Sequence, residues 1–458
     1  MIGKILVPLP SLLALALAAS PAVAAAASVT TPDTALASPT GAAAAGAVAA
    51  AAAEGSVLFR LTEPQELAAL LGPASDDSSF ADGGMEFTMR RWPGVRALFG
   101  RMRDDAAPFT LMRLYAGDEE LDIGQHRPLV LRHAGDLIKI DGHHGLQGVS
   151  LERVDLRDHG PFLRQQRFDS RTRWPAPDRL PAGFDPAELL ARGRTPGLGI
   201  GTLHEQGIDG RGVGIAVIDQ PLLLGHEEYA HAIVRYDATG LAGWRPQMHA
   251  SPVASLAVGR TMGVAPAAEL SFFAVPMWQG DNAPYTAALR KIIALNRTLP
   301  ADQRIRAVSI SSGSFARQPG FAGFEAALAE AEAAGVLVVT CARDRIRYGL
   351  LRRRAGADPD DLAGWEPGRY CWEDDALRVP AGGRTLASHE GTDVYVYEVD
   401  GGMSWGAPVI AGLAALCFQV APQLTPAEVT SLLAAAATPC EAGPVIDPRR
   451  LVQLARAR

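Results

Sequence analysis

One stretch near the C-terminus constrains the fold more than any other. Gly401 and Gly402 precede Ser404, and an almost wholly apolar run follows from Val409 to Val420. This pattern predicts a tight turn that delivers Ser404 to the first turn of a buried helix. We expect Pro408 in that first turn as well, because the amides there have no helical partner and proline has no N–H to offer.

Ser404 then has two interpretations. Backbone N–H groups and the helix dipole favour negative charge at a helix N-terminus. That position suits a nucleophile whose attack creates an oxyanion. Serine is also a preferred N-cap residue. This stretch alone therefore leaves open whether Ser404 is a nucleophile or a capping residue.

Length and composition bound the rest of the chain. A chain of 458 residues is expected to form two domains, or one large domain with an appendage. Its 48% hydrophobic and 20% charged residues are ordinary for a globular protein with a core. The net charge of −7 argues against nucleic acid as a partner.

Residues 1–24 predict a secretory signal peptide. Lys4 supplies a positive start, residues 12–19 a short apolar core, and Ala22-Val23-Ala24 a cleavage site of small residues. A membrane anchor is the alternative, and it is disfavoured by three prolines and by the short apolar core. We expect export to the periplasm or the extracellular space, without stable membrane insertion after cleavage.

Three segments are predicted between the signal and the C-terminal domain. Residues 25–54 form a low-complexity, Ala-rich spacer with too little apolar surface to fold alone. Residues 55–160 form a small N-terminal α+β domain, either an accessory domain or a pro-region, which we expect to stay attached. Residues 161–196 are rich in Pro, Arg and Asp and form an extended connector.

Short apolar runs within residues 55–160 predict strands at 109–112, 129–131 and 137–140. Near the end of this region leucine recurs every five residues: Leu146, Leu151 and Leu156. The spacing resembles a fragment of a pentapeptide-repeat coil. An irregular hairpin with its leucines inward explains it equally well.

Residues 197–458 alternate between strand and helix patterns. Strands are predicted at 213–218, 270–275, 307–310 and 336–340, and helices at 285–295, 321–334, after Ser404 and at 425–436. This alternation predicts an α/β fold, a three-layer α/β/α sandwich around a mostly parallel sheet. In such sheets the functional residues gather at the carboxyl ends of the strands.

Three features lie where such a site is expected. Asp219 ends the first strand, where it either orients a histidine or starts a turn. His249 is followed by small residues, as though a helix packs closely there. Residues 311–314, Ser-Ser-Gly-Ser, leave a strand and either offer backbone edges to an extended ligand or form a plain turn.

The motifs around these residues are similar to those of the subtilisin-like serine peptidases, the subtilases. Residues 210–219, GRGVGIAVID, resemble the aspartate motif of that family. Residues 249–254, HASPVA, followed by GVAP at 263–266, resemble its histidine motif, and 402–408, GMSWGAP, its serine motif. The order Asp, His, Ser is the family's order. The resemblance covers residues 197–458 and implies a subtilisin-like fold.

The spacing of the three candidate residues also resembles that of compact subtilases. Asp219 and His249 are 30 residues apart, and His249 and Ser404 are 155 apart. The resemblance implies a serine endopeptidase that acts on protein or peptide substrates through an acyl-enzyme. Ser404 would attack the scissile carbonyl, His249 would move the proton, and Asp219 would orient the imidazole and stabilise its charged form.

The resemblance also implies two edges that bind the substrate as an added strand. One edge is Ser311, Ser312 and Gly313, and the other is Thr340, Cys341 and Ala342. No cofactor is required and no metal ligand is predicted. Subtilases often hold structural calcium, but no ligand set in this sequence matches one.

The chain departs from the family at the oxyanion hole. Where subtilases place an asparagine donor, the ungapped alignment places Asp344. An ionised carboxylate cannot donate a hydrogen bond, and loss of one oxyanion donor costs about 3–4 kcal/mol of transition-state stabilisation. Arg343, Arg345 or the backbone N–H of Ser404 could serve instead. The alternative function is therefore a weak or inactive, peptide-binding subtilase fold.

The four cysteines are Cys341, Cys371, Cys417 and Cys440. Export permits disulfides, and four cysteines allow three full pairings. Cys417 falls in the apolar helix and is expected as a buried thiol. Cys341 is not a candidate nucleophile, because no base accompanies it by motif. We expect one disulfide at most.

Overall fold

The computed structural model describes residues 71, 73–82, 85–102, 110–116, 119–121, 131, 133–140, 145–238, 241, 244–313, 315–342, 346–368 and 376–458. The chain forms two compact units, residues 1–128 and residues 129–458. The predicted signal and spacer lie outside the described residues.

The described part of the first unit is an antiparallel meander of five strands in sequence order. The strands are β1 (Asp76–Asp82), β2 (Met85–Trp92), β3 (Val95–Met102), β4 (Thr110–Ala116) and β5 (Glu119–Leu121). The strand predicted at 109–112 overlaps β4. Along β3, Val95 and the run of Ala97, Leu98 and Phe99 are buried, so both faces of this strand carry buried side chains.

A parallel sheet of five strands organises the second unit, in the order β11-β10-β7-β9-β8. The strands are β7 (Gly214–Asp219), β8 (Ile233–Asp237), β9 (Glu269–Ala274), β10 (Ile305–Ile310) and β11 (Leu337–Thr340). All four strands predicted from continuous apolar runs lie in this sheet. A parallel sheet buried on both faces produces such runs.

The helices of the second unit, in chain order, are α1 (Gly160–Leu163), α2 (Pro186–Gly193), α3 (Ile200–Glu205), α4 (Ala250–Val258), α5 (Ala283–Asn296), α6 (Phe321–Ala333), α7 (Met403–Val420), α8 (Pro426–Ala435) and α9 (Pro448–Arg456). The predicted helices at 285–295, 321–334 and 425–436 match α5, α6 and α8 closely. Helix α9 was not predicted.

Alternate residues of the parallel strands enter two separate cores. Ile215 and Val217 of β7 belong to a core shared with α4 and α7. Ala216 and Ile218 belong to a second core shared with α5 and α6. Since successive side chains of a strand point to opposite faces, helices cover both faces of this sheet.

Helix α7 is buried over most of its length, with every residue from Trp405 to Phe418 inside the protein. Among the described helices, it has the length and composition to cross a membrane, but 78% of it is buried inside the fold. Pro408 lies inside this helix and not in its first turn. The prediction that Pro408 lies in the first turn is wrong, because the helix begins at Met403, ahead of the serine.

Two smaller sheets complete the second unit. One is mixed, in the order β13-β12-β14-β18-β17, and the other is antiparallel, in the order β15-β16-β6. Their strands are β6 (Phe168–Asp169), β12 (Tyr348–Arg353), β13 (Trp365–Pro367), β14 (Leu377–Gly382), β15 (Arg384–Ala387), β16 (Tyr395–Glu398), β17 (Ala437–Cys440) and β18 (Gly443–Ile446). None of these strands was predicted.

The leucines spaced by five residues all point inward and are fully buried. The turn is the same at each repeat: the N–H of Val149 donates to Leu146 O, and that of Val154 to Leu151 O, at 3.1 and 2.8 Å. The strand predicted at 137–140 is wrong, because a 3-10 helix spans Ala134–Lys139. Short apolar runs do not distinguish the two.

Residues 129–196 group with the second unit and not with the first. We expected a domain end near residue 160 followed by an extended connector. The structure instead pairs β6 with β16, and Phe168 stacks on Tyr397 with ring centroids 5.1 Å apart. The apolar residues of this segment form a core of their own, which Tyr397 of the C-terminal half joins.

Arg384 is a buried charge with too few partners. Its side chain is 1% exposed, and its Nη2 donates to Met262 O at 2.8 Å. Nε and Nη1 have no hydrogen-bond partner within the described ranges. Burial, together with the charge of Arg353, lowers the pKa of Arg384 to about 9.

Replacement of this arginine by an apolar side chain should stabilise the protein. We expect Arg384→Met to raise the free energy of unfolding in urea by about 1–3 kcal/mol, because it removes buried donors without partners. The control is Arg290→Met, at an exposed arginine paired with Glu330, where we expect little change. A loss of stability in Arg384→Met would contradict this account.

Candidate active site

The candidate residues meet at the carboxyl edge of the parallel sheet. Asp219 is the last residue of β7, Ser311 follows β10 directly, and Thr340 ends β11. His249 is the N-cap of α4, and Ser404 lies in the first turn of α7. Because parallel strands end at one edge, β7, β10 and β11 bring their polar exits together there.

Asp219 and His249 form a close pair. Nδ1 of His249 lies 2.8 Å from Oδ1 and 3.0 Å from Oδ2 of Asp219. The aspartate side chain is fully buried, and that of the histidine is 13% exposed. Asp219 Oδ1 also accepts the N–H of Gln220 at 2.8 Å. The carboxylate therefore fixes the imidazole with Nδ1 toward itself and Nε2 available to a substrate.

The electrostatics of this pair favour a basic imidazole. Burial disfavours the charged ring, but the charge of Asp219 and its hydrogen bond act in the opposite direction and prevail. The net result raises the pKa of His249 above its ordinary value of 6.5. The indole of Trp405 packs against the imidazole, with ring centroids 5.3 Å apart, and shields the pair further.

Ser404 is not the cap of its helix. The N-cap of α7 is Gly402, in an extended conformation, and Gly401 before it has φ of 71°, which favours glycine. The capping interpretation of Ser404 is therefore wrong. The hydroxyl of Ser404 donates to the carbonyl oxygen of Ser311 at 3.3 Å. Among the described residues, no hydrogen bond joins it to His249.

Tyr348 belongs to the site and was not predicted from the sequence. Its hydroxyl donates to the carbonyl oxygen of Met403 at 2.8 Å, directly before the serine. Gly406 makes room for it, since a Cβ there would lie 2.3 Å from a carbon of the tyrosine ring. No motif pointed to Tyr348, because this contact joins positions 55 residues apart.

The two predicted substrate edges lie side by side. The N–H of Cys341 donates to Ser312 O at 2.8 Å. A Cβ on Gly313 would lie 2.8 Å from the carbonyl carbon of Cys341, so only glycine fits this close approach. Thr340 Oγ1 accepts the N–H of Ala342 at 3.1 Å and holds the second edge in shape.

A cavity of about 430 Å³ opens beside these edges. Gly313, Thr340, Cys341 and Ala342 form one wall. Apolar side chains form much of the rest: Phe315, Phe321, Phe324 and Leu328. The spacing of the last three along α6 places them on one helix face, but no motif in the sequence links that face to the site.

Cys341 is a neutral thiol within the site. Its Sγ lies 3.4 Å from the hydroxyl of Tyr348 and within hydrogen-bond reach of Ser404. Burial raises the pKa of Cys341 to about 12. Cys417 is fully buried in α7, as predicted, and Cys341, Cys417 and Cys440 are all free. Cys371 lies outside the described residues, so the disulfide prediction stays untested.

The side chains considered for the oxyanion hole also lie outside the described residues. Asp344, with its neighbours Arg343 and Arg345, is not described, and neither is Ser314. Within the described ranges, no group of three or more His, Cys, Asp or Glu side chains could hold a metal ion. The metal and cofactor predictions remain predictions.

No protein-family model matches this chain, and no curated protein matches its sequence. Solved structures do resemble it. The prenylagaramide maturation protease PagA aligns with a TM-score of 0.42 at 15% identity, over 57% of this chain and 99% of that one. Subtilase cytotoxin SubAB aligns with a TM-score of 0.44 at 16% identity, over 57% of this chain and 95% of that one.

A protease from Pseudoalteromonas arctica gives a TM-score of 0.41 at 18% identity, over 59% of this chain and 98% of that one. All three TM-scores are below 0.5. The function proposed below therefore rests on the residues of this site and their geometry.

The titration of His249 should depend on Asp219. In wild type we expect the pKa of this imidazole above 6.5, and in Asp219→Asn below it, because burial then acts without an opposing charge. A ¹H–¹⁵N NMR titration of the ring measures both values. The pairing stabilises the fold fully below the unfolded pKa and is lost as the pH rises through the higher folded one. Equal pKa values in the two proteins would contradict this.

The thiol of Cys341 should be unreactive in the folded protein. Since its pKa is about 12, almost none of it is thiolate at pH 8, and thiolate is the reactive form. Iodoacetamide at pH 8 should leave Cys341 unmodified by peptide mass spectrometry. The same treatment after unfolding in urea is the control and should alkylate it. Rapid alkylation of Cys341 in the native protein would show that its thiol is neither buried nor neutral.

Proposed function

We propose that this protein is a serine endopeptidase that cleaves peptide bonds through Asp219, His249 and Ser404. The observation that carries the proposal is the buried Asp219 carboxylate on Nδ1 of His249, at 2.8 Å, at the same sheet edge as the serine in the first turn of α7. A carboxylate in this position holds the imidazole in the tautomer that a general base needs.

The finer features of the proposal follow the resemblance of the motifs. The second unit is a three-layer α/β/α sandwich of the subtilisin-like type, supported by the two cores on opposite faces of the parallel sheet. An N-terminal α+β domain accompanies it. A signal peptide at residues 1–24 directs export, and proteins or peptides are the substrates.

The proposed reaction begins with a rotation of the Ser404 hydroxyl from Ser311 O toward His249. Oγ then attacks the scissile carbonyl carbon while Nε2 takes the hydroxyl proton. The imidazolium, stabilised by Asp219, returns that proton to the leaving amine as the C–N bond breaks. Water, deprotonated by the same imidazole, then releases the acyl group from Ser404.

The backbone N–H of Ser404 supplies one donor for the developing oxyanion in this proposal. It lies in the first turn of α7, where amides have no helical acceptor and the helix dipole favours negative charge. A second donor near Asp344 would strengthen the site. The cavity of 430 Å³ would take an apolar side chain of the substrate, since aromatic and aliphatic residues form most of its walls.

A second candidate is a peptide-binding protein with little or no turnover. The observation that favours it is the hydrogen bond of the Ser404 hydroxyl to Ser311 O at 3.3 Å, which leaves the hydroxyl away from the imidazole. In this case the two edges and the cavity bind a peptide, and Asp344 leaves the oxyanion without its usual donor.

Labelling with a fluorophosphonate separates the two functions. We expect the wild-type protein to form a covalent adduct on Ser404, located by peptide mass spectrometry. Ser404→Ala should lose it completely, because the nucleophile is gone. The rate should fall as the pH falls through the raised pKa of His249, since a protonated imidazole cannot act as base.

The matched control is Ser431→Ala, at an exposed serine of α8, which should label like wild type. We expect Asp344→Asn to label faster than wild type, by up to about 10²–10³-fold if a missing oxyanion donor limits the reaction. A folded wild-type protein that never labels would favour the peptide-binding function.

A further inference from the structure

Helix α7 has a gap in its hydrogen-bond ladder at the proposed nucleophile. In an α-helix, each carbonyl accepts the N–H four residues later. The residue four after Ser404 is Pro408, which lies inside the helix and has no N–H. The carbonyl of Ser404 therefore has no helical donor. Ser404 is partly buried, and a carbonyl there is destabilising unless another group supplies the missing donor.

Ser311 supplies that donor. Its hydroxyl donates to the carbonyl oxygen of Ser404 at 2.8 Å. Ser311 is 4% exposed and follows β10 without a break, so the donor is fixed to the sheet. The carbonyl before it, that of Met403, accepts from Tyr348 but faces an ordinary residue, Ala407, four positions on. The need for an outside donor is thus specific to Ser404.

Two hydrogen bonds join the same two residues in opposite directions. The Ser311 hydroxyl holds the backbone of Ser404, and the Ser404 hydroxyl donates to the backbone of Ser311 at 3.3 Å. We propose that Ser311 is a positioning residue for Ser404, whose hydroxyl replaces the amide that Pro408 removes from α7. This role rests on the proposed function and is separate from any contact of the Ser311 backbone with substrate.

A double-mutant cycle tests the replacement directly. Ser311→Ala removes the donor, and Pro408→Ala restores a helical N–H to the Ser404 carbonyl. With a fluorophosphonate, we expect Ser311→Ala to lower the maximal inactivation rate about 10–100-fold while the half-saturating concentration stays constant, because only the placement of the nucleophile changes. In the double variant, the rate should return to within about threefold of Pro408→Ala alone.

Ser309 offers a matched control in the same strand. It is fully buried in β10, and its hydroxyl has no hydrogen-bond partner within the described part of the chain. Ser309→Ala therefore removes a buried hydroxyl without removing this contact, and it should label like wild type. A slowed Ser309→Ala would show that any change at this strand exit disturbs the site, and would overturn the specific role of Ser311.

The outcomes separate this inference from the proposed function. If wild type labels and Ser311→Ala labels equally fast, Ser311 does not position Ser404 and the peptidase proposal stands. If Pro408→Ala fails to restore the slowed variant, the missing amide is not the reason. Melting temperatures of the same four proteins test the replacement without catalysis. We expect the two substitutions to be coupled, and additive effects would overturn the inference.

Discussion

The burial of α7 on every side is the constraint on which the second unit depends. A helix with fourteen successive buried residues, Trp405 to Phe418, cannot form one face of a protein and must be enclosed. The parallel sheet covers it on one side, and α4, α9 and the mixed sheet cover the others. Glycines permit the close approaches: a Cβ at Gly412 would lie 2.6 Å from Cβ of Val264. The position of Ser404 follows from that enclosure.

Enclosure has a second consequence, because Met403 and Ser404 at the start of α7 are partly buried with it. Water reaches the carbonyls of Met403 and Ser404 less freely than at an exposed helix end, and that of Ser404 also lacks the helical N–H that Pro408 removes. Tyr348 and Ser311 each donate to one of them at 2.8 Å. Hydrogen bonds in a medium of low dielectric are strong and directional. The backbone that carries the proposed nucleophile is therefore fixed before any substrate arrives.

The parts of the fold that could be predicted are those that produce a local sequence pattern. Four of the five parallel strands were found within one or two residues, because burial on both faces makes each a continuous apolar run. The fifth, β8, lies at the edge of the sheet, has two exposed residues and was not predicted. Asp219 and His249 were found from their local motifs, and the structure brings their side chains into contact. Parts held by distant contacts were missed. Most of the strands β12 to β18 contain arginine, proline or glycine, which interrupt their apolar runs. The partners of Tyr348 are remote in sequence.

One error shows why local reading fails at a helix start. Pro408 was expected in the first turn, where a missing N–H has no consequence. The helix begins earlier, at Met403, so the same missing N–H leaves a carbonyl without a donor. A shift of a few residues in the boundary thus changes a harmless proline into one that needs a compensating hydroxyl. Helix boundaries are the least certain part of a sequence reading.

The resting position of the Ser404 hydroxyl bears on whether this is a working hydrolase. Hydrogen bonds of catalytic groups are often loose before substrate binds and tighten in the complex, so the bond to Ser311 O does not exclude catalysis. Rotation about one side-chain torsion, between staggered rotamers, moves that hydroxyl. The costlier requirements are the buried Asp219–His249 pair and the fixed backbone of Ser404, and both are already met. An efficient peptidase would then differ from a peptide-binding protein with little turnover by a second hydrogen-bond donor to the oxyanion, in addition to the backbone N–H of Ser404. One oxyanion donor contributes about 3–4 kcal/mol, far more than a rotamer change.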